Sequence, residues 1–145
     1  MEKNSPIPIG SVKYRLVEQF PSVEEYIRLR QATGLSPRSK DAARMGLPWT
    51  WYGVSIWHDE KCIAMGRVIG DGGCFFQIVD IAVEPPYQGK GLGTRIMNAL
   101  IERLRSYAPT TALVSLFADG QAYKLYEKFG FKLSAPDSNG MLLRL

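Results

Sequence analysis

Residues 75–94 run from strand to glycine-rich loop to helix without a break, and this passage constrains the fold more than any other stretch. Residues 75–83 read FFQIVDIAV, apolar except for Gln77 and Asp80. A strand with that composition is usually covered on both faces. Pro85 and Pro86 end it, because proline has no N–H to give to a ladder. Beyond the loop, Leu92, Ile96, Met97, Leu100, Ile101, Leu104 and Tyr107 recur at helical spacing. Arg95, Asn98, Glu102, Arg103 and Arg105 fall on the opposite side, which makes this an amphipathic helix. A buried strand feeding a one-sided helix implies an α/β domain.

The rest of the chain is expected to complete one such domain over residues 1–145. Residues 1–10, with Pro6, Pro8 and Gly10, read as a loose arm, and residues 12–20 as a first strand. Ser22 with Glu25 three residues on has the capping-box spacing and starts a helix that Gly34 ends. A second short helix covers residues 38–45, stopped by Gly46 and Pro48. Strands are expected at 49–57, 62–69, 75–83 and 111–118, a further helix at 121–129, and closing strands at 131–133 and 141–145. The result is a mixed central sheet of about six to seven strands flanked by about four helices.

Composition narrows the function classes. Hydrophobic residues make up 46% and charged residues 22%, which excludes a disordered chain, collagen and a coiled coil. The net charge of +4 comes from scattered Lys and Arg, so no nucleic-acid footprint is expected. A basic surface still attracts small anions. Cys62 and Cys74 are too few for a disulfide framework and are expected to be buried free thiols. No Cys/His cluster suggests a metal, and the lone histidine, His58, is expected exposed in a turn. The N-terminus lacks an apolar h-region and no run approaches the roughly 18 apolar residues of a span, so a cytoplasmic location without membrane contact is expected.

The segment Gln88-Gly89-Lys90-Gly91-Leu92-Gly93-Thr94 carries the chemistry. Glycines let backbone approach a ligand closely. The first N–H groups of the helix lack internal partners and sit at its positive end, so they favour an anion such as phosphate. Lys90 and Arg95 are placed to add charge. A Walker loop needs Ser or Thr after the lysine, and here Gly91 follows Lys90. A Rossmann fingerprint needs its third glycine where Thr94 stands and a turn directly after the strand. Neither nucleotide pattern fits.

Gln88-x-x-Gly91-x-Gly93, after a strand ending Ile81-Ala82-Val83, resembles the acetyl-CoA motif of the GNAT N-acyltransferases. Downstream, the segment from Asp119 to Phe131 (DGQAYKLYEKFGF) is similar to the second motif of that family, with Asp119 where the family usually has asparagine. The resemblance runs from about Trp51 to the C-terminus. It implies a GNAT-like fold and direct transfer of the acetyl group of acetyl-CoA to the primary amine of a small-molecule acceptor, in a ternary complex without metal. By the same resemblance, the backbone of Ile81, Ala82 and Val83 pairs with the pantetheine arm. Amides of Gln88, Gly89, Lys90, Gly91, Leu92, Gly93 and Thr94 hold the pyrophosphate, while Asp119, Tyr123 and Tyr126 line the CoA side. Asp119 lacks an amide donor and brings negative charge toward an anionic ligand.

Two catalytic roles follow as expectations. Tyr126 protonates the leaving thiolate, with a phenol pKa of about 10 against about 8.5 for a simple thiol. Asp80 is a candidate base for the amine proton, although a structural pairing with Arg67 or a water chain to a backbone carbonyl would serve as well. Trp49, Trp51 and Tyr52 are either acceptor-pocket aromatics or core. Arg28, Arg30, Arg38 and Arg44 either recognise a carboxylate or are simply solvated. A CoA-binding sensor, an enzyme acting on protein or peptide amines, and a homodimer formed through the late strands all remain open.

Overall fold

In the computed structural model, which describes residues 13–145, five strands form one sheet in chain order. They are β1 Arg15–Val17, β2 Tyr52–His58, β3 Lys61–Gly70, β4 Phe75–Val83 and β5 Leu113–Ser115. The helices are α1 Val23–Thr33, α2 Lys40–Gly46, α3 Leu92–Tyr107 and α4 Tyr123–Glu127. The first three pairings are antiparallel. β4 and β5 are parallel, and α3 supplies the crossover that parallel neighbours require.

The apolar stripe of α3 lies on one face of the sheet: Leu92, Ile96, Met97, Leu100 and Leu104 pack with Val54, Ile56, Ile63, Val68, Phe76 and Ile78. Gly66 permits the close approach, since a Cβ there would meet Ile96 Cγ2 at 2.5 Å and Ile81 Cδ1 at 2.7 Å. On the opposite face, Tyr26, Leu29 and Ala43 of α1 and α2 cover Cys62, Met65 and Ala82. Ser22 caps α1 by accepting from the Glu25 N–H at 3.3 Å, and Gly34 ends that helix at a φ of 78°.

Two irregularities in β4 shape the site. Arg67 faces Val79 and Met65 faces Ala82, so Gly66 opposes both Asp80 and Ile81. That two-for-one count is a β-bulge, and Asp80 sits in it at a φ of 60°. Pairing with β5 covers only Phe75, Phe76 and Gln77. Residues 78–83 therefore run on with no strand beside them on that side.

The sheet has five strands rather than six to seven. Residues 131–133 and 141–145 are apolar enough for strands but pair with nothing, and Leu133, Met141, Leu142 and Leu143 are exposed. Strand preference is realised only through a partner strand and a covered face; none of these residues has a partner strand, and of them Phe131 alone packs against the core. For the same reason β1 and β5 are only three residues long. The fourth helix keeps the middle of its expected span, flanked by turns. Cys62 is buried as expected, whereas Cys74 is exposed; both are free thiols. The expected arm at 1–10 lies outside the described residues, among which no helix is long and apolar enough to cross a membrane.

Candidate active site

The gap beside residues 78–83 opens next to the glycine loop. Gly89 and Gly91 take left-handed φ values of 78° and 81°, and nothing lies within 4 Å of a Cβ built on either. Gly91 is the N-cap of α3 and has no side chain to cap the helix, so the first-turn amides of Leu92, Gly93 and Thr94 are left to an external acceptor. Lys90 is exposed beside them, whereas Arg95 is engaged with the Tyr14 carbonyl at 2.7 Å. An exposed, uncapped, glycine-lined helix start suits a diphosphate, and the strand edge at Ile81, Ala82 and Val83 suits an extended arm that hydrogen-bonds like a strand.

The loop between β4 and α3 is pinned at several points. Gln88 Nε2 donates to the Val83 carbonyl at 2.9 Å. Glu84 is buried and accepts from Lys61 Nζ at 2.9 Å and Arg28 Nη1 at 3.1 Å. Tyr87 Oη lies 3.2 Å from His58 Nδ1, and Tyr14 packs against both rings. His58 is thus a half-buried anchor rather than an exposed turn residue. Burial works to raise the Glu84 pKa, but the hydrogen bonds and charges of Lys61 and Arg28 outweigh it and hold the carboxyl below its ordinary value. A lowered carboxyl stabilises the fold above its unfolded pKa of about 4.3 and ceases to as pH falls through the lower folded value. Glu84→Gln is expected to cost about 1 kcal/mol at pH 7 and to flatten the acid limb of thermal stability. Equal acid limbs in the two proteins would show that Glu84 does not anchor the loop.

Leu125 reaches the start of α3, with its Cδ2 3.5 Å from where a Gly93 Cβ would sit, which sets α4 against the loop. Tyr126 is buried and joins the core that holds Leu92. Among the described residues its hydroxyl has no hydrogen-bond partner. Buried hydroxyls are normally paired, so an orphan one invites a functional reason. Burial, and secondarily the Asp119 carboxylate, raise its pKa. Asp119 and Tyr123 are both exposed.

Asp80 lies at the centre of a buried ionic cluster. Its Oδ1 accepts from Arg30 Nη1 at 2.5 Å and from Tyr26 Oη at 3.3 Å, and its Oδ2 accepts from Arg67 Nε at 2.7 Å. Both oxygens are committed to guanidinium groups, which argues against Asp80 as the base that takes the amine proton. The pairing with Arg67 is the structural alternative the sequence offers; the contacts with Arg30 and Tyr26 are not legible from alternation, because the bulge turns Asp80 toward α1 instead of α3. Trp51 packs edge-on against Phe76 in the α3 core, and Trp49 is exposed, so neither lines the α1–α2 side. Cys62, raised to about 11 by burial, is a poor nucleophile. No group of three or more potential ligands stands ready for a metal among the described residues. The sequence reading overlooked Glu84 and Tyr87; the signal available was a carboxylate and an aromatic flanking two prolines inside a ligand loop.

The acetyltransferase (GNAT) family model matches residues 17–131. GCN5-related N-acetyltransferase 2, a chloroplastic protein of Arabidopsis thaliana, is 34% identical over 83 residues, 57% of this chain and 31% of that protein. An uncharacterized ycf52-like N-acetyltransferase of Prochlorococcus marinus is 32% identical over 113 residues, 75% of this chain and 62% of that one. The chain spans less than half the length of the first curated relatives it matches. A crystal structure of a probable acetyltransferase from meticillin-resistant Staphylococcus aureus superposes with a TM-score of 0.87 at 42% identity, over 91% of this chain and 99% of the other. The ribosomal-protein-S18-alanine N-acetyltransferase of Escherichia coli shares the fold, with a TM-score of 0.68 at 20% identity, over 82% of this chain and 77% of the other.

Proposed function

The chain belongs to the acetyltransferase (GNAT) family, and on that premise we propose that it moves the acetyl group of acetyl-CoA to the primary amine of a small-molecule acceptor held beside the cosubstrate. The observation that carries this reading is the parting of β4 from β5 after Gln77 and Ser115, next to the uncapped start of α3. Bound acetyl-CoA supplies an activated acyl thioester. Main-chain groups of Ile81, Ala82 and Val83 orient the arm, and those of Gly89 to Thr94 hold the diphosphate, while the expected Gln88 amide is spent on the Pro85 carbonyl at 3.2 Å. Main-chain N–H groups near Val83 stabilise charge developing on the carbonyl oxygen, a task suited to preorganised donors. Tyr126 Oη gives its proton to the departing sulfur. With Asp80 committed to two arginines, the amine proton leaves to bulk solvent through water that a main-chain carbonyl holds in place.

Calorimetric titration with acetyl-CoA at low ionic strength, followed by thiol release with amines and peptides as acceptors, tests this. Saturable binding with thiol release from small amines is the expected result. Absence of heat with acetyl-CoA would overturn the reading, and release with peptides alone would overturn the acceptor class.

A further inference from the structure

We propose that the pocket between α1, α2 and β3 holds the carboxylate of the acceptor, so that the acceptor is a small amino carboxylate; this rests on the transferase reading above. The pocket has a volume of about 160 Å³ and is lined by Tyr26, Arg38, Ala43, Leu47 and Arg67 among others, with no acidic side chain in its wall. At about 30 Å³ per water it has room for roughly five waters, the size of a carboxylate with a short hydrocarbon stem.

Charge is the first argument. Arg30 and Arg67 share a single counter-ion, Asp80, so this buried cluster carries an uncompensated positive charge. Arg67 spends Nε on Asp80 and Nη1 on Thr50 Oγ1 at 2.9 Å; its Nη2 has no partner among the described residues. Arg67 lies at the pocket, and its side chain is only 12% exposed. A nearly buried guanidinium with an unused donor is costly unless an anion or water meets it.

Arg38 supplies the second argument. Arg28 pairs with Glu25 and Glu84, Arg30 with Asp80, and Arg44 with Asp41. Arg38 alone of these four has no carboxylate partner among the described residues; its Nη1 donates only to Ser36 Oγ and the Pro37 carbonyl. Two guanidinium groups thus border one small pocket whose other walls, Ala43 and Leu47, are apolar. Planar guanidinium donors match a carboxylate, and apolar walls accept the carbon stem. Position is the third argument. Asp80, the partner of Arg67, adjoins Ile81 on β4. A carboxylate beside Arg67 therefore lies next to the strand whose following residues, Ile81 to Val83, are assigned to the thioester arm.

The test compares leucine, leucinamide and isoamylamine, together with further amino acids of both α and ω type and O-phosphoethanolamine. Thiol release is measured with acetyl-CoA, and binding by calorimetry on protein saturated with CoA. The best amino carboxylate is expected to exceed its own amide and decarboxylated amine at least tenfold in kcat/KM. In Arg38→Gln, whose side chain is exposed and removable, that ratio should collapse toward one, with Arg38→Lys intermediate. Equal turnover of acid, amide and amine would overturn the carboxylate site and leave the transferase reading standing. Carboxylate binding that Arg38→Gln abolishes, without thiol release from any acceptor, would keep the site and overturn the transferase reading. Preference for the phosphorylated amine, or binding of no carboxylate, would overturn the assignment.

Discussion

A Tyr126→Phe protein is expected to lose about 10²–10⁴-fold in kcat, the usual contribution of a positioned proton donor, while still binding acetyl-CoA. The phenol is buried, and its hydroxyl has no partner among the described residues, so removing that oxygen breaks no internal hydrogen bond and the fold should tolerate it. Proton transfer from an ordinary phenol to an ordinary thiolate is uphill by about 1.5 pKa units, or about 2 kcal/mol. Burial raises Tyr126 and acts in the same direction on a sulfur leaving beside it, so the difference of about 1.5 pKa units stands as the cost that holding the phenol next to the sulfur has to offset. Burial and Asp119 raise Tyr126 itself, so it keeps its proton throughout the neutral range. An acid with a raised pKa is active below that pKa and inactive above it. The alkaline fall in wild-type kcat is therefore expected above pH 10, and a Phe variant should lack it. Unchanged kcat in a folded Tyr126→Phe protein would remove Tyr126 from the reaction.

The parts of this architecture that the sequence made legible are those set by local chemistry. FFQIVDIAV, the double proline, the alternating glycines and the stripe from Leu92 to Tyr107 each fix their own conformation, and the observed β4 and α3 match the expected boundaries. The ligand loop was legible for the same reason. What was not legible depends on pairing between distant residues. The alternation rule places Asp80 with Ile78 and Ala82 on one face. In the fold, Ile78 lies beneath α3 and Ala82 beneath α1, because the bulge at Asp80 shifts the phase between them. A register shift of one residue exchanges the faces of a strand, and no composition signal announces it. The closing strands failed on similar grounds, since Met141, Leu142 and Leu143 have strand character but are exposed and join neither open edge of the sheet. His58 was misread because its partners, Tyr14 and Tyr87, are 44 and 29 positions away along the chain.

The bulge also decides how the charged residues on the α1 side divide between structure and chemistry, and Asp80→Asn separates the two. Side-chain exposures of 6% for Asp80, 7% for Arg30 and 12% for Arg67 describe a cluster shut away from water. Breaking a buried pair by removing one partner costs about 3–5 kcal/mol, because the other charge stays behind uncompensated. Asn at position 80 strands two guanidinium groups at once, so a loss at the upper end of that range is expected, with Tm lowered by more than about 10 °C. Arg30→Met leaves Asp80 paired with Arg67 and should cost less. The double variant Arg30→Met/Asp80→Asn retains one stranded cation in place of two. It should therefore be more stable than the sum of the single losses allows, with a coupling energy above about 1 kcal/mol. Thermal or urea denaturation of the four proteins measures each of these quantities. A base would behave otherwise: Asp80→Asn would then keep its Tm and lose its kcat, and that pair of results would return Asp80 to the chemistry and leave Arg30 and Arg67 without the structural role assigned to their shared carboxylate.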